Sequence, residues 1–383
     1  MKTLKEGYRV GVVGASSLLG KELLTVLREQ AFPISRLVTF ESDEEEPDLP
    51  IVDLRGESQA AIEDREVSES ELDFAFLAAR PHPLPAFLAS AESLRAGRQP
   101  ADNGGRAHCR VIDLTGEELG KGPDEELTAS PAEGAAVSPW QVVSVPFLDR
   151  LYPARVAAER PVNGRPSPEA GAPSFIVSAH PAVIMISSLL LRVAARFRLE
   201  RAVAQVFVSA SEIGPRAIEE LQKQTVGLLS FQKIPNKVFG EQLAFNLLAR
   251  LGKSGEPALS HLESRLREQL RRYLGGRVPL PALRLVQVPV FYSMALSLYL
   301  ETAQPVTAEE IAAALPSERL HVRRLSQDPP TQVEAVGSND ILVDAVAGDA
   351  AHPNGMWLWA VADNLRLAAM NAVEIAKSLA KTL

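Results

Sequence analysis

The chain has 383 residues, a net charge of −8 and one cysteine, which predicts two domains and excludes an intrachain disulfide or a thiolate metal cluster. Its acidic balance and isoelectric point near 5.5 argue against a nucleic-acid partner, and the six histidines at 82, 108, 180, 261, 321 and 352 lack the HxxxH spacing of a metal site. No apolar run reaches membrane-spanning length and no apolar signal core opens the chain, so a cytoplasmic protein is expected.

Tyr8–Val13 is a short apolar run, followed by Gly14-Ala15-Ser16-Ser17-Leu18-Leu19-Gly20 and a helical pattern through Leu23, Leu24 and Leu27. Strand, glycine turn and helix in that order suit a dinucleotide. Glycine lets the backbone approach the pyrophosphate, and the helix N-terminus offers N–H groups. Gly11, Gly14, Ser16, Ser17 and Gly20 are therefore candidate cofactor residues; a tight turn without a ligand is the plain alternative. The second strand, Arg36–Phe40, runs into Glu41-Ser42-Asp43-Glu44-Glu45-Glu46. A dinucleotide site selects its ribose just past this strand, where a 2′-phosphate needs basic residues. The acids of Glu41–Glu46 disfavour NADP and permit NAD, and they also fit a solvated loop. Asp73–Ala79 and Cys109–Leu114 read as short buried parallel strands. Residues 115–139 and 153–173, rich in Gly, Pro, Ala and Glu, read as exposed excursions.

Further on, a strand at Ser174–Val177 leads through Ser178-Ala179-His180-Pro181 to a helix over Met185–Phe197. Pro181 suits a first helical turn. A strand at Ala204–Ala210 leads to Glu212 and to Ile213-Gly214-Pro215. Ser260–Leu274 is amphipathic, with Leu262, Leu266, Leu270 and Leu274 on a core stripe and Glu263 and Arg265 beside it. Gln287-Val288-Pro289-Val290 precedes Met294, and the chain closes on a Trp-bearing strand and a helix over residues 354–377.

That closing stretch resembles the aspartate-semialdehyde dehydrogenase family, with Asp363-Asn364-Leu365-Arg366 and Asn371-Ala372-Val373 on the family's pattern. Val288-Pro289-Val290 and Ala244-Phe245-Asn246 are similar to it as well. The resemblance implies an α/β protein. A Rossmann-like domain spans 1–150, completed by a returning C-terminal helix in 354–383, and an α+β dimerisation and substrate domain spans 151–353. It also implies a homodimer, an NAD or NADP cofactor with Asn371 near it, and an amino-acid biosynthesis lineage. The family's oxidation uses a cysteine thiolate, a histidine for proton transfer and an arginine for the substrate carboxylate.

Laid on that pattern, Pro181 stands at the cysteine position, Met294 at the histidine, Gln287 at the arginine, and Leu119 at a phosphate-gripping arginine. Glu212 falls on or near the glutamine beside the cysteine, and Ser17 takes the turn's second glycine. Proline is no nucleophile, methionine has no titratable proton, and glutamine offers no cationic fork. Cys109 is expected to be a small buried apolar residue. The expected function is a non-catalytic, dimeric binding or regulatory paralogue with a small-molecule or nucleotide ligand; a scaffold that binds none is the third reading. The alternative is an NAD(P)-dependent oxidoreductase acting on an aldehyde or oxo group, with His180 or Glu212 as acid or base.

Overall fold

The structure, a computed structural model, describes residues 7–40, 72–79, 109–116, 142–149, 175–255 and 258–381. The expectations placed on Glu41–Glu46, Leu119 and residues 117–139 and 153–173 lie outside these. Contacts divide the chain into two units, residues 1–179 with 369–383, and residues 180–368.

The first unit carries a parallel sheet in the order β2-β1-β3-β4-β6-β5. Its strands are β1 (Tyr8–Val13), β2 (Ile34–Phe40), β3 (Phe74–Leu77), β4 (Arg110–Asp113), β5 (Val142–Ser144) and β6 (Phe175–Ser178). β3 is apolar and buried at every position, as a strand covered on both faces must be. Helix α1 (Leu18–Glu29) turns Leu23, Val26 and Leu27 into the core, and Ala369, Ala372, Val373 and Ala376 join the same cluster from the C-terminal helix. Each fully buried Val or Leu contributes about 1.5–3 kcal/mol. Tyr8, Phe32 and Phe74 close one end, with ring centroids 5.2–5.7 Å apart. A short helix, α2 (Pro146–Asp149), follows β5. The unit extends past residue 150 because β6 pairs with both β4 and β5.

The second unit opens with α3 (Pro181–Ala194), in which twelve residues are buried, so the helix is apolar all round. It begins at Pro181 rather than at Met185 because His180 caps it and proline suits the first helical position. Next come β7 (Leu199–Val208), α4 (Pro215–Leu229), α5 (Leu259–Leu274), β8 (Ala282–Gln287) and β9 (Met294–Thr302). β7 ends at Val208, and Ala210–Glu212 form a 3-10 turn instead of strand. α6 (Ala308–Ala314), β10 (Leu320–Val322), α7 (Gln332–Ala335), β11 (Ile341–Val343), β12 (Ala347–Gly348), β13 (Gly355–Ala362) and α8 (Asn364–Ala380) complete the chain.

The mixed sheet runs β10-β11-β13-β9-β7-β8, with β12 on β13. β13 therefore belongs to the second unit, and the return to the first begins only at Ala369, within α8. Along β7 buried and exposed residues mostly alternate, the pattern of a sheet covered on one face. α5 buries Leu266, Leu270 and Leu274 and leaves Leu262 half-buried. Gly275 closes it in the left-handed region at φ 56°. On α4, the buried Glu220 carboxylate accepts the N–H groups of Lys237, Val238 and Phe239 at 2.8, 2.9 and 3.1 Å, pinning the segment that follows.

Candidate functional site

Four strands of the second unit bring their ends to one edge of the mixed sheet. β7 and β8 are parallel, and Val208 lies opposite Gln287, so both strands finish together. β9 and β13 are antiparallel and place Met294 opposite Ala362. β9 also runs antiparallel to β7, with Phe207 opposite Ala295, which brings Met294 to the same edge. Glu212 follows β7 and Asn364 follows β13, so the edge gathers every catalytic-position residue of this unit that the sequence singles out.

At this edge His180 serves as N-cap of α3. Its Nδ1 accepts the Ala182 N–H at 3.1 Å, and its Nε2 lies 2.6 Å from Glu212 Oε1. A nitrogen that accepts a backbone N–H carries no proton. Nε2 is therefore the nitrogen that donates to the carboxylate. Glu212 Oε2 accepts from Asn364 Nδ2 at 3.1 Å, and Ser211 Oγ donates to Asn364 Oδ1 at 3.0 Å. The His180 N–H donates to Gln269 Oε1 at 2.9 Å. Val290 and Phe291 carbonyls hold the turn through Ala210 N and Ser211 N at 2.8 and 2.9 Å. Burial opposes ionisation of Glu212, but its pairing with His180, the bond from Asn364 and the nearby Arg265 charge prevail and hold its pKa below the ordinary value. Each ring nitrogen is thus committed, one to a helix and one to a carboxylate, and the pair works as a clasp.

Gln287 and Met294 are fully buried. Gln287 Nε2 donates to the Val208 carbonyl at 2.9 Å, while its Oε1 has no hydrogen-bond partner among the described residues. Pro181 is buried at the first position of α3. Glu263, on α5, is taken up by Arg267 at 2.9 Å and by the Leu285 N–H at 3.3 Å, as expected of a scaffold position.

In the first unit the candidate cofactor turn closes tightly. Gly14 has φ 73°, and a Cβ there would sit 2.3 Å from Ala79 Cβ; one on Gly20 would sit 2.1 Å from the Gly14 carbonyl. Ser17, the N-cap of α1, donates its hydroxyl to that carbonyl at 2.7 Å and accepts the Gly20 N–H at 3.0 Å. Gly11 lies in mid-strand, opposite Val38 and Ala75, and its absent side chain makes room for Leu72. Asn371 donates from Nδ2 to the Ser144 carbonyl and to Ser178 Oγ, both at 2.9 Å, so it ties α8 to the carboxyl ends of β5 and β6. The turn at Gly14 follows the carboxyl end of β1, the edge at which parallel sheets bind ligands. Cys109 precedes the opposite, amino end of β4 and is 8% exposed.

Residues 9–117 match the family model for the semialdehyde dehydrogenase NAD-binding domain, and residues 190–367 match that for the semialdehyde dehydrogenase dimerisation domain. The chain belongs to the semialdehyde dehydrogenase family. A USG-1 protein homolog of Pseudomonas aeruginosa is 28% identical over 382 residues, covering 99% of each chain. An aspartate-semialdehyde dehydrogenase of Shewanella violacea is 25% identical over 380 residues, covering 98% of each. Among solved structures, a probable aspartate-semialdehyde dehydrogenase from Pseudomonas aeruginosa superposes with a TM-score of 0.73 at 26% identity, over 98% of this chain and 99% of that one.

The backbone of this semialdehyde dehydrogenase family member fits the phosphate end of a dinucleotide at Gly14–Gly20. The left-handed glycine and the close strand-to-helix packing are in place. Ser17 spends its hydroxyl inside the turn, which leaves the N–H groups of Leu18 and Leu19 outside that cap. Among the described residues no group of three His, Cys, Asp or Glu could hold a metal, and no helix is long and apolar enough to cross a membrane. Sequence reasoning missed Asn364, Ser211 and Gln269 as parts of the clasp. Asn364 sits inside the family-like Asp-Asn-Leu-Arg run, and Gln269 is a lone amide on the buried face of α5; both were visible signals.

Proposed function

We propose that this semialdehyde dehydrogenase family protein does not carry out the family's cysteine-dependent oxidation and acts as a dimeric binding or regulatory protein in the cytoplasm. One observation carries the reading: the start of α3, where the family's pattern puts the nucleophile, is His180 and Pro181, with the imidazole bonded through both nitrogens. A thiolate must add to the aldehyde carbon before that carbon can give up hydride; proline offers no lone pair for the addition. Gln287 and Met294, at the arginine and histidine positions, are sealed in the sheet, and neither supplies a cation or a proton. Cys109 precedes the non-ligand end of β4.

The cofactor turn retains its shape, so nucleotide binding outlives the reaction in this reading. Ser16 and the N–H groups of Leu18 and Leu19 would face the phosphates, with Gly14 and Gly20 keeping strand and helix close and Ser17 capping the turn, and NAD suits the acids at Glu41–Glu46 better than NADP does. Bound nicotinamide dinucleotide would bring a hydride acceptor, and the chain's own residues would position it without supplying the nucleophile. The dimerisation-domain match supports a homodimer. The alternative, an oxidoreductase with altered residues, requires a free acid or base, and the His180–Glu212 clasp leaves neither ring nitrogen open.

The test is an assay of phosphate-dependent oxidation of aspartate semialdehyde with NAD and with NADP, alongside calorimetric titration of both nucleotides. Nucleotide binding without turnover is expected. Robust turnover would overturn the reading, and its survival or loss in Cys109→Ala would show whether that thiol takes part.

A further inference from the structure

At the end of α3 remote from His180 the second unit has a cleft of about 570 Å³ lined by residues 194–199 and 276–279. α3 has 14 residues, so this cleft lies about 20 Å along the helix from the clasp. Three arginines line it, Arg196, Arg198 and Arg277, and no acid does. Arg196 Nη1 donates to the Ala313 carbonyl at 3.2 Å. Arg198 and Arg277 have no side-chain hydrogen bond or ion pair among the described residues, and both are exposed. Beside them the half-buried Phe197 and Pro279 add a small apolar edge, while Val278 is buried.

Two helices, α3 and α5, end near this cleft, and each C-terminus contributes roughly half a negative charge. Three guanidinium groups outweigh them and leave roughly two positive charges, on a protein whose net charge is −8. The charged side chains that line the cleft are thus all cationic, on a chain that is acidic overall. Two unpaired guanidinium forks are donors suited to phosphate or carboxylate oxygens, and the small apolar edge admits a ring or short chain attached to them.

We infer that this cleft binds a small organic dianion, at a site separate from the clasp. The inference rests on the second unit alone and holds whether or not the family reaction survives. Phosphate monoesters and dicarboxylates share the required chemistry.

Calorimetric titration of the full chain with phenyl phosphate and with phthalate separates these two sources. Saturable binding of at least one probe is expected, weakened about tenfold or more in Arg198→Ala/Arg277→Ala. A variant with the same charge change elsewhere, Arg250→Ala/Arg324→Ala, is expected to bind as the parent does. Because all four side chains are exposed, the variants are expected to fold, and circular dichroism checks this. Absence of saturation by about 10 mM of either probe overturns the inference. So does binding that both double variants retain, which would place the anion elsewhere, or lose equally, which would make it an effect of net charge.

Discussion

His180 Nε2 and Glu212 Oε1 lie 2.6 Å apart, while the other nitrogen of the same ring starts α3 by accepting the Ala182 N–H. One side chain therefore ties a helix start to a turn 32 residues away. Its replacement tests the clasp. His180→Ala removes a cap worth about 1 kcal/mol and a hydrogen bond to a charged group worth about 1.5–3 kcal/mol. Urea unfolding is expected to show a loss of about 2–4 kcal/mol, with His180→Asn recovering the cap's share. A change within about 0.5 kcal/mol of the parent would mean the clasp is not structural.

Glu212 makes the same point through pH. Its folded pKa is held below the ordinary 4.5, so the ionised group stabilises the fold. That contribution is complete above the unfolded pKa and is lost as pH falls through the folded one. The stability gap between the parent and Glu212→Gln should be flat at neutral pH and narrow below 4.5. A gap that stays constant throughout the acid range would contradict it.

The family's chemistry should resist reinstatement by substitution. Gln287 is fully buried, so Gln287→Arg buries an unpaired cation and is expected to cost about 3 kcal/mol or more. Pro181→Cys alone should fold and remain inactive towards aspartate semialdehyde, since no base or carboxylate clamp accompanies the thiol. Turnover by that single variant would show the site to be more intact than its residues indicate.

Gly14→Ala would meet Ala79 at 2.3 Å and must adopt φ 73°. The strain and the clash together are expected to cost about 2–4 kcal/mol and to abolish nucleotide binding. Thermal unfolding and NAD titration measure the two effects. Unchanged stability would mean the turn rearranges freely.

Glu220→Ala leaves the Lys237, Val238 and Phe239 N–H groups without their carboxylate. Hydrogen exchange at these three amides should accelerate while amides in β9 keep their protection. Uniform acceleration across the second unit would instead indicate global destabilisation.

Much of the first unit was legible because its signals are local: Tyr8–Val13 appears as β1 with the bounds expected, and Gly14 marks the turn. Apolar periodicity points to Met185 as the start of α3, whereas the cap formed by His180 and Pro181 sets it at Pro181. The sheet to which β13 belongs is not legible locally: it pairs with β9 and β11, and a strand's partners are not written in its own residues. The clasp was half visible. His180 and Glu212 could be named from position, but their bond spans separate elements. Which ring nitrogen donates follows only from the Ala182 N–H, a contact that backbone geometry creates.

The burial of Cys109, 8% exposed ahead of β4, has a consequence for reagents rather than for substrates. It is the chain's one thiol, and its burial slows an alkylating agent until the structure around it opens. Its rate of labelling is thus a clock for opening of the first unit, read against a background with no second cysteine to confuse it.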